Sequence, residues 1–468
     1  MTLWLLVLFA CVDEPASKRP RGSDSAATLT TPAGTLTTPT GTLTTPAGTP
    51  TLPTARPDNV LVVLLDDVGL DKVGFADEHP RPPPTPVIDA FAAESLHFRN
   101  AWAHPTCSPS RAALLTGRSP RRYGIGHALS TDDRWELPLA EITLPELLRD
   151  APDAWSNAMF GKWHLSTGIS PGAHDHPNQQ GFDHFQGSIG NLGSYLRWQR
   201  TVDGVVAPVD TYPSTDTVDA AIHHLETLPE PWFVYVAFNA AHTPFHVPPA
   251  HLHDQPVGPD SPPPGKLAAM VQAMDTELGR LLAAVEPARD HTTVFVIGDN
   301  GTTGDAVLHP ADPSLAKLTL AEGGVNVPFL VRSSRVTSPG GESPALAHLV
   351  DVFATVADLA GVAPPAPIDG LSLLPQLADP SAPLRSVVYT DRFGPPGAPP
   401  YRYSERAVRN ATHKLLRAAA VDRLHRVDDR GVEGPRLDLA LLTPDEQATY
   451  DELRTELDRL ERELVFAY

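Results

Sequence analysis

Six consecutive apolar residues, Val60-Leu61-Val62-Val63-Leu64-Leu65, run directly into two acids, Asp66-Asp67. Such a run has no polar parity, so as a strand it must be buried on both faces, as in a parallel sheet covered by helices. The pattern recurs. Ala158-Met159-Phe160 leads into Gly161-Lys162-Trp163-His164, residues 232–238 lead into His242-Thr243-Pro244, and Thr293-Val294-Phe295-Val296-Ile297 leads into Gly298-Asp299-Asn300-Gly301. Residues 267–285 carry a one-faced apolar stripe, and residues 346–359 form a second such helix stopped by Gly361. Alternating strands and helices predict a doubly wound α/β domain with a mostly parallel sheet flanked by helices. From Ser386 the texture changes to short strands at 387–390, 406–409 and 414–417 and a charged helix at 444–464, a small C-terminal α+β domain with an antiparallel sheet.

Open α/β sheets gather ligands at the carboxyl ends of their strands. Adjacent carboxylates there repel each other unless a cation lies between them. Asp66, Asp67, Asp299 and Asn300 offer only hard oxygen donors, which suits Ca²⁺, or Mg²⁺, rather than zinc. Taken singly, Lys162, His164 and His242 would be surface or packing residues; four strand ends with such chemistry make one site. The chain has 36 basic and 56 acidic residues, a net charge of −20. That surface repels nucleic acid and anionic membranes, so any anion site must be a local basic pocket.

One of the two cysteines stands in Cys107-Ser108-Pro109-Ser110-Arg111-Ala112-Ala113-Leu114-Leu115-Thr116-Gly117-Arg118. Ser108 suits an N-cap and Pro109 the first helical position, which would put Cys107 just outside a helix N-terminus where anions are favoured. The string reads C-x-P-S-R-x-x-x-L-T-G-R throughout and resembles the signature of the type I sulfatases of the alkaline-phosphatase-like superfamily. Lys317-Leu318-Thr319-Leu320-Ala321-Glu322-Gly323-Gly324 is similar to the K-x-T-x-x-E-G-G segment of the same family.

The resemblance implies a sulfuric ester hydrolase in which a formylglycine-generating enzyme converts Cys107 to Cα-formylglycine. The hydrated aldehyde is then the nucleophile, and its oxygen completes a Ca²⁺ sphere made by Asp66, Asp67, Asp299 and Asn300. It further implies that Arg111, Lys162 and Lys317 neutralise the sulfate, His242 and Lys317 protonate the leaving oxygen, and His164 takes the proton that lets sulfate depart. The substrate would be a sulfated small molecule or glycan. Asn326 departs from the family's frequent arginine, as Ser166 does from its glycine, which bears on pocket shape rather than chemistry. A phosphate or phosphonate ester hydrolase of the same superfamily is the alternative. The cysteine speaks against its phosphatases, which use serine or threonine, although some phosphonate monoester hydrolases use formylglycine. A binding module with a decayed site would show losses among the motif residues, and there are none.

Residues 3–10 are an apolar run of eight, too short for the roughly twenty needed to span a bilayer and fitting a secretory signal. Leu8-Phe9-Ala10-Cys11 resembles a bacterial lipobox, which would make Cys11 a lipid anchor to an envelope membrane; without it the protein would be periplasmic or secreted. The seven-residue segment at 28–34 recurs nearly unchanged from Thr35 and Thr42, rich in threonine and proline, and cannot bury enough surface to fold. The expected organisation is a signal at 1–10, a tether at 11–56, a catalytic domain at 57–385 and the small domain at 386–468.

Overall fold

Along the first strand, side chains alternate between two cores: Val60, Val62 and Leu64 pack into one apolar cluster, and Leu61, Val63 and Leu65 into another on the opposite face. This is the double burial that its unbroken apolar run requires. The computed structural model describes residues 57–468 apart from 171, 308–311, 366 and 429. The expected signal, lipobox and tether lie outside the described residues. Among the described residues no helix is long and apolar enough to cross a membrane.

The main sheet comprises β1 (Asn59–Leu65), β2 (Leu96–Trp102), β3 (Ser156–Lys162), β4 (His184–Ser188), β5 (Trp198–Val202), β6 (Val205–Val209), β7 (Trp232–Ala237), β8 (Thr292–Gly298), β9 (Phe329–Arg332) and β10 (Glu342–His348). Its order is β10-β2-β9-β8-β1-β7-β3-β4-β5-β6, with β8-β1-β7-β3-β4 parallel throughout. The smaller sheet is antiparallel, β11 (Val388–Gly394) to β15 (Glu433–Arg436) in sequence order through β12 (Tyr403–Arg409), β13 (His413–Ala418) and β14 (Val421–Val427). The terminal helix Pro444–Glu463 packs Leu453 and Leu457 against Val408, Leu415 and Leu424 of this sheet.

Register sets the site. Leu65 of β1 lies opposite Gly298 of β8, so Asp66 and Asp299, one residue further on, leave the sheet side by side. Leu64 and Gly161 both pair with Ala237, which brings Lys162 to the same edge. Gly161 has φ 97°, and a Cβ there would lie 1.9 Å from the Ala237 oxygen, so the position demands glycine.

Three local expectations change. The cysteine helix spans Cys107–Thr116 with Thr106 as N-cap, because the Ser108 hydroxyl is used elsewhere, accepting from the Leu129 amide at 2.9 Å. Residues 346–348 are strand rather than helix, since they pair with Asn100, Ala101 and Trp102 of β2; the helix is Val350–Leu359. The helix expected from 267 begins earlier, at Pro263, since proline is tolerated in a first turn.

Glu322 joins the two sheets. Its carboxylate accepts from Trp102 Nε1 of β2 at 3.0 Å, from Arg409 Nη1 of β12 at 2.8 Å and from Lys414 Nζ of β13 at 3.1 Å. Burial works against its ionisation, but Lys414 and Arg409 hold the carboxyl below its ordinary value. A depressed carboxyl adds stability above its unfolded value, here about pH 4.5, that is lost as pH falls through the folded one. Glu322→Gln strands the buried Arg409 guanidinium and leaves Lys414 with Glu433 alone, at 3.0 Å, and is expected to cost about 3–5 kcal/mol in denaturant melts at neutral pH. The gap from the parent should shrink as the melts are repeated below about pH 4.5; a gap independent of pH would show that the charge is not the source of the effect.

Candidate active site

Asp66, Asp67 and Asp299 are buried with Cys107 at the carboxyl edge of β1 and β8, and one ligand atom from each lies within 4.8 Å of all the others. A second grouping at the same span joins Asp67 and Cys107 to His242. The Cys107 thiol donates to Asp66 Oδ1 at 3.5 Å and receives Lys317 Nζ at 3.4 Å. Lys162 donates to Asp66 Oδ2, and Lys317 to Asp67 Oδ1. Arg111, one turn along the cysteine helix, places Nη2 2.9 Å and Nε 3.2 Å from Asp299 Oδ2, and Nη1 2.7 Å from the Lys162 carbonyl. Three buried carboxylates thus face two buried cations, Arg111 and Lys162, and the partly buried Lys317, which is what makes so much charge tolerable inside the protein.

The electrostatics follow. Burial alone would raise the Asp66 carboxyl, but Lys162, His242, Arg111 and Lys317 hold it far below the usual carboxylate range. Asp299 is pushed up to about 6 by burial and by the Asp66 charge beside it. Burial, then Asp66, pushes the Cys107 thiol up to about 12. An unmodified thiol in this setting is protonated and a poor nucleophile.

Asn300 supplies the clearest test of a cation. Its Nδ2 donates to Asp67 Oδ1 at 2.8 Å and to the Gly301 carbonyl, while its buried Oδ1 has no partner. An unpartnered amide oxygen beside three carboxylate groups is a hard donor set, so the residues fit a divalent cation. Asp66, Asp67, Asp299 and Asn300 are the residues that could hold it.

The histidines have defined faces. His164 donates Nε2–H to the Leu129 carbonyl at 2.8 Å, leaving a buried, unpartnered Nδ1. His242 donates Nδ1–H to the Thr243 carbonyl at 2.8 Å and turns Nε2 to within 4.0 Å of Asp67 Oδ2. Burial, then the charge of Lys162, pushes both imidazoles down. Asp67, His164 and Leu318 adopt φ of 59°, 60° and 75°, left-handed values that are strained for non-glycine residues and gather at functional sites.

All ten expected site residues are therefore brought together, although they come from four strand ends, one helix and one loop. The residues that seat them carry no sequence signal. Tyr195, far from the motifs, donates its hydroxyl to the His242 carbonyl at 2.9 Å, and the Leu129 backbone ties Ser108 to His164. Neither has a motif or spacing that could have singled it out. Asn326 is buried, and the guanidinium nearby is Arg409 of β12, whose Nη2 reaches Asn100 Oδ1 at 2.7 Å.

Fold and site together define an α/β protein with a buried, metal-fitting carboxylate cluster around one cysteine at the carboxyl edge of a mostly parallel sheet. The chain belongs to the sulfatase family, whose profile, described as Sulfatase, matches residues 58–362. It is 31% identical over 364 residues to the human N-acetylgalactosamine-6-sulfatase, covering 69% of this chain and 66% of that protein, a little under two thirds of its length. The mouse steryl-sulfatase is 29% identical over 421 residues, covering 69% and 65%. Among solved structures, a protein called Ps i-CgsB, crystallised with a neocarrahexaose, superposes with a TM-score of 0.74 at 24% identity over 86% of this chain and 92% of its own.

A cation that fits this site should stabilise the fold. Ca²⁺ at a hundredfold excess over its Kd is expected to add about 2.7 kcal/mol, read as a rise in Tm, and Asp67→Asn should lose most of that rise. An unchanged Tm in the parent across Ca²⁺ and Mg²⁺ titrations would remove the cation from the site.

Proposed function

We propose that this chain hydrolyses a sulfate monoester, releasing inorganic sulfate, with Cys107 converted to Cα-formylglycine by a formylglycine-generating enzyme. The observation that carries this reading is the burial of the signature cysteine against Lys317 and Asp66, inside a set of three carboxylates and three cations. That set is neutral, so a divalent cation bound in it leaves a net positive site, matched to an anionic ester. When present, Ca²⁺, or Mg²⁺ in its place, supplies Lewis-acid polarisation, and the converted side chain supplies an oxygen nucleophile with a second hydroxyl.

The chain's own residues do the rest. Arg111, Lys162 and Lys317 are the fixed donors for sulfate oxygens, held in place by the carboxylates they already contact. His242 and Lys317 deliver a proton to the departing alcohol oxygen. His164 takes a proton through Nδ1, the nitrogen with no other partner. That transfer lets the second hydroxyl collapse to the aldehyde and expel sulfate.

Sulfated glycans lead the substrate classes, supported by relatives and neighbours with such names: the N-acetylgalactosamine-6-sulfatase, and a glycosaminoglycan-metabolism protein of Bacteroides thetaiotaomicron that shares the fold with a TM-score of 0.68. Residues 57–385 form the catalytic domain in this reading and 386–468 the small domain. The protein is exported, with residues 11–56 as a tether to an envelope membrane through a lipidated Cys11, or periplasmic or secreted if Cys11 is not lipidated.

Mass spectrometry of the peptide spanning Cys107 should show a loss of about 18 Da. Cys107→Ser keeps an oxygen nucleophile but cannot eliminate sulfate, so a sulfated enzyme should accumulate on incubation with an aryl sulfate while turnover is nearly abolished; Cys107→Ala should form no adduct. A serine variant that turns over as fast as the parent would refute the formylglycine mechanism.

A further inference from the structure

From the nucleophile, a circuit of contacts leads out to the surface and back. Lys317, which touches Cys107, is followed by Leu318, whose amide donates to the Pro105 carbonyl at 3.0 Å. Arg392 Nη1 of β11 donates to the Leu318 carbonyl. The Arg392 guanidinium lies 5.2 Å over the ring of Tyr403 on β12, a cation–π distance. The Tyr403 hydroxyl meets His127 Nδ1 at 3.0 Å. Two residues on, Leu129 returns to the nucleophile through its amide on Ser108 Oγ.

The outer part of the circuit is exposed, unlike the fully buried Cys107. Leu318 is 52% and Tyr403 37% exposed, and the Arg392 side chain retains 30% of its surface. Its neighbours on the strand, Asp391 and Phe393, are buried, so alternation along β11 turns Arg392 outward. Among the described residues, Arg392 Nε and Nη2 make no hydrogen bond, and Glu405, at 3.9 Å from Nη1, is its acidic neighbour. A stacked guanidinium with two outward donors, beside an aromatic face and an exposed leucine, is suited to a planar or tripodal anion on a ring.

We propose that Arg392 receives a second anionic group, a carboxylate or another sulfate, carried by the alcohol portion of the ester, whose ring lies along Tyr403 and Leu318. This rests on the sulfate-ester reading above and narrows it: the preferred substrate is a sugar ester with at least two negative charges. The small C-terminal sheet then does more than pack against the main one, because it carries the arginine that reads the leaving group. The net charge of −20 makes such a local cation necessary for an anionic glycan to settle here.

The test is a ratio. Sulfate release is measured from chondroitin disaccharides and from the same disaccharides with the uronate carboxyl reduced, and from disulfated and monosulfated galactose, with 4-nitrophenyl sulfate as a reference. In the parent, kcat/KM should favour the member with the second anion by about tenfold or more in at least one pair, the size of one charge-assisted hydrogen bond. The two pairs separate a carboxylate ligand from a sulfate one. Arg392→Gln should bring the favoured ratio close to one, and Glu405→Gln should increase it. A parent that shows no discrimination in either pair, in turnover or in competition against 4-nitrophenyl sulfate, or a ratio unchanged by Arg392→Gln, overturns the subsite alone. A parent that releases sulfate from none of these esters overturns the ester reading, and the subsite with it.

Discussion

Three carboxylates cannot be buried together without compensation, and the whole carboxyl edge of the sheet is arranged around that constraint. Asp66 has Lys162 against it, Asp67 has Lys317, and Asp299 has Arg111. Each cation comes from a different element, so each pair ties two parts of the chain: β1 to β3, β1 to the loop before β9, and β8 to the cysteine helix. The cluster is therefore a structural junction as well as a chemical one. Removing any member strands a partner inside the protein.

Parallel pairing is what makes this junction possible. Successive parallel strands all point their carboxyl ends to one side, so residues that follow four separate apolar runs meet there. The one-to-one register between β1 and β8 decides that Asp66 meets Asp299 rather than a residue one step away. Backbone strain completes the arrangement: Asp67 and His164 sit just past their strands in left-handed conformations, held there by the contacts around them.

The small antiparallel sheet depends on a second buried charge. Glu322, a few residues beyond Lys317 in the same segment, binds Trp102, Arg409 and Lys414, while Trp102, Leu320, Val388 and Ala407 form an apolar patch between the two sheets. Lys317 on Cys107 and Glu322 under the second sheet thus belong to one short stretch of chain. That coupling fixes the position of β11 and β12, and with them Arg392 and Tyr403, relative to Cys107.

The unbroken apolar runs determined that strands of this chain would be buried on both faces, because no other placement hides both parities of such a run. The acids, lysine and histidines at the ends of those runs, and the cysteine string, were legible for the same reason: chemistry tied to a local pattern is visible in one dimension. The helix is capped by Thr106, two residues before the predicted Ser108, whose hydroxyl has a partner, the Leu129 amide, that is 21 positions away. Residues 346–348 read as helix because apolar spacing does not reveal that β2 pairs with them. Tyr195, Arg392 and Tyr403 carry no motif at all. Their places around the site depend on strand order, on register and on the packing of the second sheet, which are long-range contacts that only the tertiary structure decides.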